Sequence, residues 1–183
     1  MTATGDGRST GTAATGCPHL AASFLAMLGP GTAMPLGPSV RPDALPEDAV
    51  ETRVAAWLTG HPTARRVDAH LRAAALLWHD RLAASHRLSQ ELDDADGAYL
   101  HGLMHRREPD YANAGWWFAR IGHHPLTASV AAAASARGLC VPDPAAFIDL
   151  VARAERGEAP AAPVVALQGD EFATLVRHLL AGC

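Results

Sequence analysis

Between Ala64 and Leu92 the apolar residues recur at intervals of three and four. Leu71, Ala75, Trp78, Leu82, Ser85, Ser89 and Leu92 form one mostly apolar row, which fits the turn of an α-helix and not the alternation of a strand. The spacing predicts a helix over Ala64 to Leu92, capped by Thr63 and the longest in the chain. Arg72, His79, His86 and Asp93 recur every seven residues beside that row, so a polar stripe with two imidazoles borders the buried one. Such a helix needs other helices to cover its seam.

The remaining segments supply them. Helices are predicted from His19 to Leu28, from Pro46 to Leu58, and from about Gly97 to Glu108, just before Pro109. Asp110 caps a short helix through Arg120 that Gly122 ends, and Thr127 to Arg137 is closed by Gly138. Asp143 as N-cap and Pro144 at the first helical position open a helix to about Arg156. GEAPAAP reads as a linker, and Asp170 to Leu180 as an amphipathic last helix with Phe172, Leu175, Val176 and Leu179 inward. Only the short APVVAL alternates with period two. The expectation is all-α: a single compact helical bundle with a disordered N-terminal tail. Residues 1–16 form the tail, 17–45 an irregular Pro/Gly-rich segment with one short helix, and 46–183 the all-helical domain.

Composition narrows the chemistry. With 183 residues, 49% hydrophobic but only 5% aromatic, the chain fits one domain whose core is built mainly from Ala, Leu and Val. All 15 basic residues are Arg, so no Schiff-base lysine can anchor pyridoxal phosphate. A net charge of −4 argues against a nucleic-acid partner. Cys17, Cys140 and Cys183 are widely spaced and odd in number, which predicts free thiols, a buried Cys140 and a cytoplasmic location. No apolar run is long enough for a membrane span.

Functional groups concentrate between His101 and Pro125, in HGLMHRREPDYANAGWWFARIGHHP. His101 and His105 are one helical turn apart on one face, where two imidazoles can share a metal ion such as Zn or Fe. His86, in SHRLSQ, is expected to reach them across a helix contact as the third ligand, with Gln90 one turn on facing the same pocket. Glu108, seven residues from His101, is a candidate third ligand or general base. Arg106, Arg107 and Arg120 offer planar forks for a carboxylate or phosphate, and pairing with Glu108 and Asp110 is the competing use. Trp116, Trp117 and Phe118 are expected mainly in the core, with Trp117 the candidate pocket wall. His124 lies at a helix junction from which it can point back to the site. Histidines 19, 61, 70 and 178 are expected on surfaces.

The two segments SHRLSQ and GAYLHGLMHRREPDYANAGWWFARIGHHP resemble an uncharacterised family of bacterial and fungal proteins. Those proteins share S-H-x-x-S-Q followed by H-G-x-x-H-R-x-E-x-D-x-x-N-A-x-Y-W-F-x-R-x-G-x-H-P. The likeness covers residues 85–125, and Trp116 stands where the pattern has Tyr. It implies importance for His86, Gln90, His101, His105, Arg106, Glu108, Asp110, Asn113, Arg120 and His124, and carries no reaction with it.

Together these readings predict a metal-dependent enzyme acting on a small anionic substrate. His86, His101 and His105 would hold Zn or Fe. Glu108, Asp110 and His124 would do proton work, and Gln90, Arg106, Asn113, Trp117 and Arg120 would bind substrate. One alternative is a metal-free acid/base enzyme or small-molecule-binding protein using the same cluster. Another is a helical interaction module whose polar cluster fixes the core.

Overall fold

Four of the helix starts follow local capping chemistry. In the computed structural model, which describes residues 18–29 and 33–183, nine α-helices and one 3-10 stretch make up the regular structure. The expected disordered tail, residues 1–16, lies outside the described residues. Asp94, Asp110 and Asp143 each accept a hydrogen bond from a backbone N–H three residues on, at Gly97, Asn113 and Ala146. They open α5 (Ala95–Arg107), α6 (Tyr111–Ile121) and α8 (Pro144–Glu155). His124 caps α7 (Pro125–Ala136) through Nδ1, which accepts from the Leu126 N–H. The first helices among the described residues are α1 (Pro18–Leu28) and α2 (Glu47–Gly60), and Glu47 and Asp48 sit favourably in the first turn of α2.

The long helix expected over Ala64 to Leu92 is three pieces. Pro62–Val67 is 3-10, α3 runs Asp68–Trp78 and α4 runs Leu82–Ser89. The break falls at His79–Asp80–Arg81, where Asp80 takes a left-handed backbone with φ 60°. Its cause is tertiary. The buried Asp80 carboxylate accepts from the Arg41 N–H and Nε at 2.9 Å each, and from Arg107 Nη2 at 2.9 Å. Arg107 also donates to the carbonyls of Leu77 (2.9 Å) and Gly37 (3.1 Å). His79 Nδ1 accepts from the Leu45 N–H at 3.2 Å, and Arg81 Nε donates to the Leu45 carbonyl at 2.8 Å. The Pro/Gly-rich segment is thereby tied to the break, and the heptad row of His79 and His86 is split between two jobs.

The last helix also differs from expectation: α9 is one helix of 20 residues, Ala161–Leu180. Pro163 falls within its first turn, where a missing N–H costs nothing, so the last three residues of the expected linker and the alternating APVVAL are its opening turns.

α5 lies at the centre. Every residue from Gly97 to Arg107 is buried, and α3, α4 and α6 pack around it. α9 packs against α1, α3, α7 and α8, so the bundle is all-α with one continuous body. Because α5 carries Tyr99, His101, His105, Arg106 and Arg107, its burial demands partners for many polar groups. Arg106 pairs with Glu171, its Nη1 donating to Oε1 at 3.3 Å, and Tyr99 Oη donates to the same oxygen at 2.8 Å. Gln168 accepts from Arg106 and donates to the Pro35 carbonyl at 2.9 Å, linking α5, α9 and the Pro/Gly segment. The expected pairing of Arg106 and Arg107 with Glu108 and Asp110 does not occur. Residues two apart on a helix do not face each other, and both arginines turn into the core. Cys140 is exposed, not buried, and Cys183 is likewise free. Among the described residues no helix is long and apolar enough to cross a membrane.

Asp80→Asn keeps the shape and the left-handed tolerance but removes the charge facing two arginines. It should cost about 3–5 kcal/mol in denaturant unfolding. Glu47→Gln, which breaks the exposed Glu47–Arg87 pair, should cost about 0–1 kcal/mol. Equal losses would show that Asp80 does not organise the break. The His79 imidazole titrates below its ordinary range because it is buried and faces Arg41 and Arg53. As pH falls below about 6.5 the unfolded chain takes up this proton first. The stability present above that pH is lost as it drops toward the lower folded value. The slope of Tm against pH in that window should therefore shrink in His79→Asn, whose amide oxygen can still accept from Leu45.

Candidate metal centre

Three histidines from two helices converge. α4 presents His86, and α5 presents His101 and His105 one turn apart, as their spacing predicts. One ring nitrogen from each lies within 4.8 Å of the other two. The ring centroids are 4.7 Å apart for His86–His101, 4.9 Å for His86–His105 and 4.8 Å for His101–His105. α6 closes one side: Trp117 stacks on His101 with centroids 3.9 Å apart, and Asn113 Nδ2 lies 3.0 Å from His105 Nε2. His86, His101, His105, Asn113, Trp116 and Trp117 line an open cavity of about 570 Å³.

This approach of α6 depends on Gly102. A Cβ there would stand 2.9–3.1 Å from three carbons of the buried Phe118 ring. Glycine at this position lets the α6 residues that carry Asn113 and Trp117 lie directly against the histidines.

The electrostatics favour neutral imidazoles. His101 is pushed down to about 4 by burial and then by its neighbours His105 and His86. His105 is also lowered, by burial and by His86, against the opposing pull of Glu108 and Asp110. Its Nδ1 lies 3.5 Å from Glu108 Oε2 and 3.9 Å from Asp110 Oδ2. Both ring nitrogens of His101 and Nδ1 of His105 are buried with no hydrogen-bond partner. Unpartnered buried imidazole nitrogens call for a partner from outside the chain: an ordered water, an ion or another ligand.

No protein-family model, curated protein or solved structure matches the chain. The site stands on its geometry.

The other expected site residues are placed as follows. Glu108 and Asp110 flank His105 but are not part of the three-nitrogen triangle. They also line a neighbouring cavity of about 710 Å³ together with Glu47 and Arg81. Gln90 is exposed at the end of α4 and does not line the histidine cavity. Arg106 is held in the core by Glu171 and is not available to a substrate. Arg120 is exposed, with its guanidinium 5.5 Å from the Trp116 centroid and 5.7 Å from that of Trp117. Of the three consecutive aromatics only Phe118 is core; Trp117 is half-buried, and Trp116 is 54% exposed.

His124 joins a second group. Its Nε2 lies 3.0 Å from Asp96 Oδ1, and His178 Nε2 lies 2.9 Å from the same oxygen. Burial would raise the Asp96 carboxyl, but the hydrogen bond from His124 and the nearby His178 outweigh it and hold Asp96 low. His178 and His70, expected on the surface, therefore both have carboxylate partners: His70 Nε2 lies 2.9 Å from Asp94. Asp96 sits in the first turn of α5 and His178 in the last turn of α9. Only the charge preferences of helix ends hint at such residues from sequence.

Gly102→Ala should lower Tm, because overpacking against Phe118 costs about 1–3 kcal/mol and exceeds what alanine gains in a helix. Gly115→Ala, in α6 with nothing within 4 Å of the added Cβ, should leave Tm unchanged or raise it. Changes of the same sign in the two variants would refute a tight α5–α6 contact.

Proposed function

We propose that the chain is a metal-dependent enzyme in which His86, His101 and His105 hold a divalent ion, Zn or Fe, facing a small substrate. The observation that carries this reading is the accounting of polar groups on α5. Among the buried residues of α5, Tyr99, Arg106 and Arg107 have partners across the core, whereas His101 has none at either ring nitrogen. Its neighbours are two more imidazoles, one ring nitrogen from each lying within 4.8 Å of the others. Three histidines with an open side are a donor set suited to catalytic zinc, and imidazole equally suits iron. Such an ion polarises a bound oxygen or makes a water nucleophilic near neutral pH. Glu108 and Asp110, beside His105 Nδ1, orient that ring and raise its basicity as outer-shell carboxylates do. They also accept protons released at the cavity, and Arg120 orients an anionic group.

One contact favours a second reading, a metal-free acid/base site. Asn113 Nδ2 donates to His105 Nε2, which leaves the proton of that ring on Nδ1, toward Glu108 and Asp110. That wiring moves protons without an ion.

Elemental analysis of untagged protein, beside melts of wild type and His101→Ala with and without chelator, separates the two. Metal binding predicts a stoichiometric ion in wild type, none in the variant, and a chelator-induced fall in wild-type Tm that approaches the variant's loss. Near-zero metal in both proteins, with wild type indifferent to chelator, would reject the metal centre in favour of the acid/base reading.

A further inference from the structure

We propose that the cavity before the three histidines takes a small aromatic carboxylate, its ring against Trp116 and its carboxylate on Arg120. This deepens the reading of the same cavity as the working site and requires no ion for binding. Large aromatic side chains are normally withdrawn from water, yet Trp116 is 54% exposed, matched among large apolar side chains of the described residues only by Val40. Its exposure coincides with the cavity wall. Trp117 stands perpendicular to it, at 89° and 4.9 Å between centroids, and stacks in turn on His101. Two indoles and an imidazole thus line one side of a space of about 570 Å³, a size that suits a small molecule.

The charge follows from elimination. Arg106 and Arg107 are committed to Glu171 and Asp80. Arg120 lies one turn beyond Trp116 and Trp117, with its guanidinium beside both indoles, and it has no carboxylate partner among the described residues. A cation–π contact places the fork without using its hydrogen-bond donors, so these are free to receive a carboxylate. On the far side of His105 stand Glu108 and Asp110, which repel a second anionic group. One negative charge at Arg120, an aromatic body on Trp116 and an otherwise uncharged end toward the histidines satisfy all three constraints.

Ligand-observed NMR titrations with benzoate, cyclohexanecarboxylate and benzyl alcohol, on chelator-treated and on metal-supplemented protein, test this. Benzoate should bind saturably, and cyclohexanecarboxylate roughly 3- to 10-fold more weakly, because aromatic pairing adds to area burial. Arg120→Gln should weaken benzoate about tenfold or more and leave benzyl alcohol unchanged. Trp116→Leu should erase the preference for benzoate over cyclohexanecarboxylate. Both residues are exposed, so both variants should fold. Failure of benzoate to saturate either preparation, equal affinity for the two carboxylates, or an Arg120→Gln variant that binds benzoate normally would overturn the proposal. Stoichiometric metal without benzoate binding would overturn it alone and leave the metal centre standing. Benzoate binding that needs Trp116 and Arg120 in metal-free protein would sustain it even if the metal reading fell.

Discussion

The fold depends on burying two adjacent arginines in its central helix. Arg106 and Arg107 are at most 1% exposed, and such charges persist in a core only when paired and hydrogen-bonded. Arg106 therefore fixes α9 through Glu171 and Gln168, and Arg107 fixes the α3–α4 break through Asp80. Their carbonyl contacts reach Leu77 and Gly37, and through Gln168 the Pro35 carbonyl. Elements distant in sequence are held at set positions around α5 as a result. Since α4 and α5 carry the three histidines, the same ion pairs that specify the core also set the triangle.

What was legible in the sequence was local. Asp110, Asp143 and Gly122 act within one turn of themselves, so their helix ends follow from nearby residues. The histidine triangle was legible too, because His101 and His105 need only helical spacing and His86 needs only one neighbouring helix. The break at His79–Arg81 was not, since its cause is a carboxylate meeting arginines 39 and 27 residues away. The periodic row of Leu71, Ala75, Leu82, Ser85 and Ser89 stays buried across the interruption, so hydrophobic spacing alone could not reveal it. Arg106 misled for the same reason. Its partner lies 65 residues on in α9, while Glu108 and Asp110 were close only in sequence.

A helix buried from Gly97 to Arg107 yet rich in polar side chains also explains why the pressure for polar partners concentrates there. Each polar group on α5 costs desolvation unless it is matched, and Tyr99, Arg106 and Arg107 are matched by Glu171, Asp80 and carbonyls. The Nε atoms of both arginines go unmatched, but their other N–H groups are engaged. His101 has no such compensation at its nitrogens; its ring stacks with Trp117 at 3.9 Å and with His105 at 4.8 Å between centroids. Gly102 then matters beyond its backbone, because it allows α6 to bring that ring into contact.

The two histidine groups show why distance alone does not define a metal site. Asp96, His124 and His178 also place three ligand atoms within 4.8 Å. There, however, His124 Nδ1 accepts the Leu126 N–H that caps α7, which leaves the ring proton on Nε2, directed at Asp96. His178 approaches the same oxygen, and the carboxylate is held low by the pair. An ion at His124 Nε2 would move that proton to Nδ1 and break the cap, so this group works as a hydrogen-bonded clamp joining α5, α7 and α9. His101 faces no such conflict, because neither of its nitrogens is engaged. The two groups therefore differ in which nitrogens already have work: both of His124's are engaged, and neither of His101's is.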